Sequence, residues 1–187
     1  MKKTILFFLF SLAILMLFTS VSISSHAMEE YQIKSGLLYR ICKFTHWPTP
    51  PDANKPFIIS ILGRTPPGKE IKMPQDVTID KRKIVIRKIK NLSEINGSDV
   101  LFITTSETYR LDAILDYIGD KPVMTVGDTK GFAQRGIIIN FYIQSSRVRF
   151  EINYEASKKA SLQMHSQLFA IGRVVKTKRS FNGDGEK

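Results

Sequence analysis

Two short apolar runs, DVLFIT (Asp99–Thr104) and VMTVGD (Val123–Asp128), stand on either side of ETYRLDAILDYI, a helical pattern closed by Gly119. Strands this short and this apolar are buried on both faces, so a helix between them acts as a crossover that returns the chain to the same end of a sheet. The two strands then lie parallel, and the pattern predicts an α/β domain. Ser106 is placed to cap the intervening helix, and Gly119 to end it.

The flanking segments extend this frame. FIISIL (Phe57–Leu62), ending at Gly63, reads as another strand buried on both faces, and KIVIRKI (Lys83–Ile89) as a strand with a basic outer face. From Tyr31 to Trp47 the stripe Ile33, Leu37, Leu38, Ile41 and Phe44 predicts an amphipathic helix stopped by Pro48. PTPPDANKP, with four prolines in nine residues, is a connector, and RTPPGKEIKMPQDVTIDKR is read as irregular.

IIINFYI and RVRFEIN lie too close together for a crossover and predict an antiparallel hairpin. Pairing Ile143 with Val148 sets Phe141 against Phe150 and Ile139 against Ile152 on one face, with Asn140 opposite Glu151 and Tyr142 opposite Arg149 on the other. The connection Gln144–Arg147 has no glycine, so a four-residue loop is expected. Asn153 then serves as N-cap and Glu155 occupies the first turn of one long helix whose stripe is Ala156, Ala160, Met164, Leu168, Ile171 and Val175. Ser157, Ser161 and Gly172 suggest close packing of that helix on the sheet or on a second subunit. The resulting fold class is a three-layer α/β domain: a mostly parallel sheet with a C-terminal antiparallel hairpin and helices on both faces.

Lys2 and Lys3 precede an apolar run from Ile5 to Phe18, and Ser25 and Ala27 stand at cleavage spacing. The run is shorter than the roughly 20 residues of a spanning helix, so residues 1–27 read as a cleaved signal peptide. Residues 28–176 form the domain and residues 177–187 a basic, disordered tail. Removing the two lysines lowers the formal net charge of +11 by two and leaves a strongly basic chain, which favours acidic partners or membrane surfaces. No nucleic-acid-binding motif is found. Cys42 is the single cysteine, so there is no internal disulfide; within an apolar helical pattern it reads as a small buried hydrophobe.

Catalytic signatures are missing. His46 and His165 lack partners at metal-ligand spacing, and there is no nucleophile elbow, phosphate loop or dinucleotide fingerprint. No cofactor is expected. His46 is read as interacting with a helix C-terminus and His165 as exposed or locally satisfied. Arg149 and Glu151, two apart on one strand face, read as pairing with each other or with neighbours. GDTKGFAQRG, with Gly127, Lys130, Gly131, Arg135 and Gly136, follows a strand and reads either as a surface loop or as a loop that receives an anion.

The ordered set KFTHWP, FIISILG, DVLFIT, PVMTVGD, RGIIINF, RVRFEIN and SLQMHSQL resembles the YfiR/HmsC-like family of exported bacterial proteins from about Tyr31 to Val175. Trp47-Pro48, the run from Arg149 through Glu151 to Asn153, and Ser166-Gln167-Leu168 are its most specific pieces. The resemblance implies a periplasmic, non-enzymatic regulator, often dimeric, that binds the periplasmic part of an inner-membrane diguanylate cyclase and is relieved by an outer-membrane lipoprotein. The alternative is a periplasmic small-ligand sensor. The chain departs from the family pattern in lacking cysteine pairs, in its proline-rich 64–76 region, and in Arg135 before Gly136.

Overall fold

The computed structural model describes residues 28–48 and 52–178; the expected signal peptide, and the tail beyond 178, lie outside them. The chain runs α1 (28–43), β1 (Thr45–His46), β2 (Phe57–Leu62), β3 (Thr78–Ile79), β4 (Arg82–Ile89) and β5 (Val100–Ile103). A 3-10 turn (Thr105–Arg110) leads into α2 (Leu111–Ile118), then β6 (Met124–Gly127), β7 (Ile139–Gln144) and β8 (Arg147–Asn153). The chain closes with α3 (Tyr154–Lys159), β9 (Gln163–Met164), α4 (Ser166–Ile171) and β10 (Arg173–Val175).

Eight strands form one sheet in the order β10-β8-β7-β6-β5-β2-β4-β3. Its centre, from β4 through β7, is parallel, and the β7–β8 pair is antiparallel with the pairing the sequence predicts. Alternation along the central strands feeds two cores. Phe57, Ile59 and Ile61 of β2 with Val100 and Phe102 of β5 face Leu38, Ile41 and Cys42 of α1. Leu62, Leu101 and Ile103 face Leu111, Ile114 and Ile118 of α2. Helices cover both faces of a mostly parallel sheet, which is the three-layer α/β architecture expected.

Several local expectations are corrected. The first helix ends at residue 43 rather than Trp47, because Thr45 and His46 leave it to pair with Met164 and Gln163 of β9. Ser106 caps nothing: the segment opens as a 3-10 turn after Thr104, and the Ser106 hydroxyl instead accepts from the amide of Arg64 at 2.9 Å. The hairpin turns on two residues, since Gln144 pairs with Arg147 and Ser145 and Ser146 take φ of +49° and +58°. The right-handed twist of the strands calls for a left-handed turn, and two serines accept it in place of glycine.

The long C-terminal helix does not form. Ser161 sits at φ +56° and breaks it, β9 pairs with β1, and β10 adds a parallel strand beside β8. The apolar stripe is real, but two strand pairings override its helical reading. Gly172 shows the close packing foreseen: a Cβ there would lie 2.5 Å from the Phe150 ring, so its neighbour is the sheet. Thr177 and Lys178, assigned to the tail, are tied down, Thr177 Oγ1 accepting from Asn153 at 2.8 Å and the Lys178 amide donating to Gln134 at 2.9 Å.

Candidate functional site

Strand β2 is the first of the central parallel set; β4 lies on one side of it and β5 on the other. The loops leaving the carboxyl ends of β2 and β5 therefore diverge, and a crevice opens between them, the position where open α/β sheets bind ligands. A cleft of about 630 Å³ occupies it, lined by Arg64, Thr65 and Lys69 after β2, Thr104 to Ser106 after β5, and Asp128 after β6. Glu30, Tyr31 and Lys34 of α1 form its other wall.

Sequence dictates this shape at Gly63. Its φ is +100°, and a Cβ would stand 2.2 Å from Thr104 Oγ1 and 2.6 Å from Ser106 Oγ, so only glycine lets the β2 loop press against the hydroxyls of the β5 loop. Thr104 and Ser106 share a 2.9 Å hydrogen bond. Across the cleft, Lys34 donates to Asp128 Oδ2 at 2.7 Å and lies 2.5 Å from Glu30. Tyr31 donates to the same Asp128 oxygen. Burial, then the negative charge of Asp128, pushes the Tyr31 phenol well above its ordinary range, so it remains a donor.

The acids of this region are all occupied. Glu30 and Asp128 share Lys34, Glu107 pairs with Arg110, and Glu70 pairs with Lys72 at 3.1 Å and Lys88 at 3.9 Å. Arg64 and Lys69 have no ion-pair partner among the described residues. Thr65 Oγ1 is buried and has no hydrogen-bond partner among the described residues.

A family model described as YfiR/HmsC-like matches residues 31–173, most of the described chain. The chain belongs to the YfiR/HmsC-like family. Membership supports a periplasmic regulatory role in broad terms and is consistent with a non-catalytic protein. No curated protein matched the chain. Among solved structures it is similar to CD0873 of Clostridium difficile, a substrate-binding protein with adhesive properties in its ligand-free, open form, with 15% identity, TM-score 0.47, and 67% of this chain and 56% of that one covered. It is also similar to a conserved domain protein from Vibrio cholerae O1 biovar El Tor, with 11% identity, TM-score 0.39, and 65% and 54% covered. The chain thus spans about half the length of each of these solved proteins.

The residues singled out in this YfiR/HmsC-like sequence do not converge on one site. Trp47 donates to the Asp99 carbonyl at 3.3 Å and meets Phe57 edge-on at 5.1 Å, with Pro48 exposed beside it. Asn153 is fully buried; it accepts from Ala156 at 3.0 Å, the N-cap foreseen, and donates to Ala133 O at 2.7 Å. Ser166 opens α4, whose cap is His165, accepting from the Gln167 amide at 3.3 Å. His46 lies in β1 rather than at a helix end.

Glu151 is buried and pairs not with Arg149 but with Arg173, which β10 sets directly opposite it. Gln134 at 3.1 Å and Asn140 at 3.2 Å complete its partners, and the contact holds the Arg173 guanidinium above its usual pKa. Arg149 is exposed.

The glycine loop divides. Lys130 and Gly131 line a second cleft of about 480 Å³ together with Asn140, Glu151 and Arg173. Gly127 lies under Phe132, which leaves no room for a Cβ. Arg135 turns to α2, reaching Asp112 at 3.0 Å and the Thr108 carbonyl at 3.1 Å, and Gly136 closes a 3-10 turn at φ +110°. Sequence reasoning passed over Lys34, Arg64 and Lys69. The signal that finds Arg64 and Lys69 is positional: they follow Gly63 at the carboxyl end of the first buried parallel strand.

Proposed function

We propose that this protein is a non-enzymatic periplasmic regulator that binds the periplasmic part of an inner-membrane signalling protein, a diguanylate cyclase, and restrains it, lowering cyclic di-GMP and biofilm output. The observation that carries this reading is the family match across residues 31–173. The outer end of the sheet supports it: Ile143, Ile171 and Val174 are each more than half exposed there, and Arg149 stands on the opposite face of the same hairpin. Exposed apolar side chains at the edge strand of a sheet suit contact with another protein. The reading includes a homodimer and release by an outer-membrane lipoprotein.

Its test is capture of partners from membranes with the processed protein. A cyclase recovered by the native chain and lost with Ile171→Glu/Val174→Glu supports the reading. Recovery of no membrane signalling protein from cells that express both overturns it. A second reading, a sensor of a small ligand, is favoured by the cleft between the β2 and β5 loops. Thermal shift measures it, since a ligand at a hundred times its Kd adds about 2.7 kcal/mol.

A further inference from the structure

We propose that the cleft at the carboxyl ends of β2 and β5 binds a small oxyanion, a carboxylate or phosphate group, through the cations of Arg64 and Lys69 and the hydroxyls of Thr65 and Thr105. The inference names a ligand class for the sensing reading and is independent of which membrane protein the chain restrains.

Charge decides the class. Three cations and two carboxylates line the cleft, and both carboxylates are spent on one of those cations, Lys34. Glu107, behind the Gly63 turn, is spent on Arg110. Arg64 and Lys69 are left as two uncompensated positive groups on one short loop, which favours an anion between them and rejects a cation.

Donors complete the case. A buried hydroxyl without a partner is costly, and Thr65, on the cleft wall, holds its Oγ1 in that state; rotation about χ1 turns the hydroxyl into the cleft, where an oxyanion supplies the missing acceptor. Thr105 contributes a second hydroxyl, held 2.8 Å from that of Thr129. Ser106 is not available, since it already accepts from the Arg64 amide at 2.9 Å and donates to Glu107 at 3.2 Å. That hydrogen bond anchors the Arg64 backbone at the mouth of the cleft. The volume, about 630 Å³, admits a metabolite rather than a bare ion alone.

The test is titration calorimetry of the processed protein at low ionic strength with inorganic phosphate and, separately, with citrate. Saturable one-to-one binding of either supports the proposal, and the probe that binds assigns phosphate or carboxylate chemistry. Arg64→Gln/Lys69→Gln should weaken that binding at least tenfold with an unchanged melting temperature. Lys43→Gln/Lys83→Gln, which removes equal charge from exposed positions elsewhere, should stay within twofold. Binding of neither probe, binding retained in the Arg64/Lys69 variant, or equal loss in both variants overturns it. A thermal shift produced only by uncharged ligands overturns the oxyanion assignment while leaving the sensing reading in place.

Discussion

The two ends of β2 and β5 treat charge in opposite ways. At the amino ends, Arg82 and Asp99 form a two-pronged ion pair at 2.8 and 2.7 Å. Arg82 also donates to the Lys55 and Pro56 carbonyls, at 3.0 and 2.5 Å, and Asp99 accepts from the Ile58 amide at 2.7 Å. At the carboxyl ends Arg64 and Lys69 are without such partners. The first arrangement ties Lys55 and Pro56, just before β2, to the sheet, and its charges are spent on partners within the fold. The second leaves capacity unused, in the crevice where the strand order diverges. Among the described residues the contrast separates a fastening from a receptive site within one pair of strands.

Removing Asp99 should have the largest effect. Asp99→Ala leaves a mostly buried guanidinium and the Ile58 amide without their acceptor, and is expected to cost about 3–5 kcal/mol, read by urea denaturation. A loss under about 1 kcal/mol, no more than a surface pair is worth, would erase the contrast between the two ends. Gly63→Ala comes next, at about 1–3 kcal/mol from its left-handed backbone and the collision with Thr104. It should also push the β2 and β5 loops apart and displace Arg64, so oxyanion binding falls with stability.

Alkaline pH separates the ends differently. Cys42, near the amino end, is held protonated by burial and then by the charge of Asp99; Tyr31, at the carboxyl end, by burial and then Asp128. Both folded pKa values are raised, so the unfolded chain releases these protons first and stability falls as pH rises. The loss should begin once pH passes the ordinary thiol value of 9.0 and steepen past the ordinary phenol value of 10.0. Each group removes about 1.4 kcal/mol per pH unit beyond its own value. Cys42→Ala should abolish the first phase and Tyr31→Phe the second, followed by denaturation at pH 8 to 11. Arg64→Gln/Lys69→Gln should have the smallest effect on stability, within about 0.5 kcal/mol, because no ion pair is lost there.

Legibility in the sequence followed how local the deciding physics was. The β7–β8 register was readable because a slip of one residue would take Phe141 off the face of Phe150 and Asn140 off the face of Glu151. The βαβ unit was readable from two-faced apolar strands around one helix. The segment after Asn153 was misread because its apolar spacing satisfies a helix, whereas the structure is decided by distant partners: Thr45 and His46 for β9, and Glu151 to Asn153 for β10. The Ser145-Ser146 turn was missed because serine at positive φ carries no signature that glycine would. Arg64 and Lys69 were hidden in a stretch rich in proline and charge that reads as irregular. Arg135 carried a positive charge in a glycine loop but spends it on α2.

Function by contact is tested most directly by intracellular cyclic di-GMP in cells that carry the native gene, a deletion, or the Ile171→Glu/Val174→Glu variant. A restraining regulator predicts a rise on deletion that the native chain reverses and the variant does not. Indistinguishable levels in all three strains, with the native and variant chains produced in equal amount where they are encoded, would contradict it.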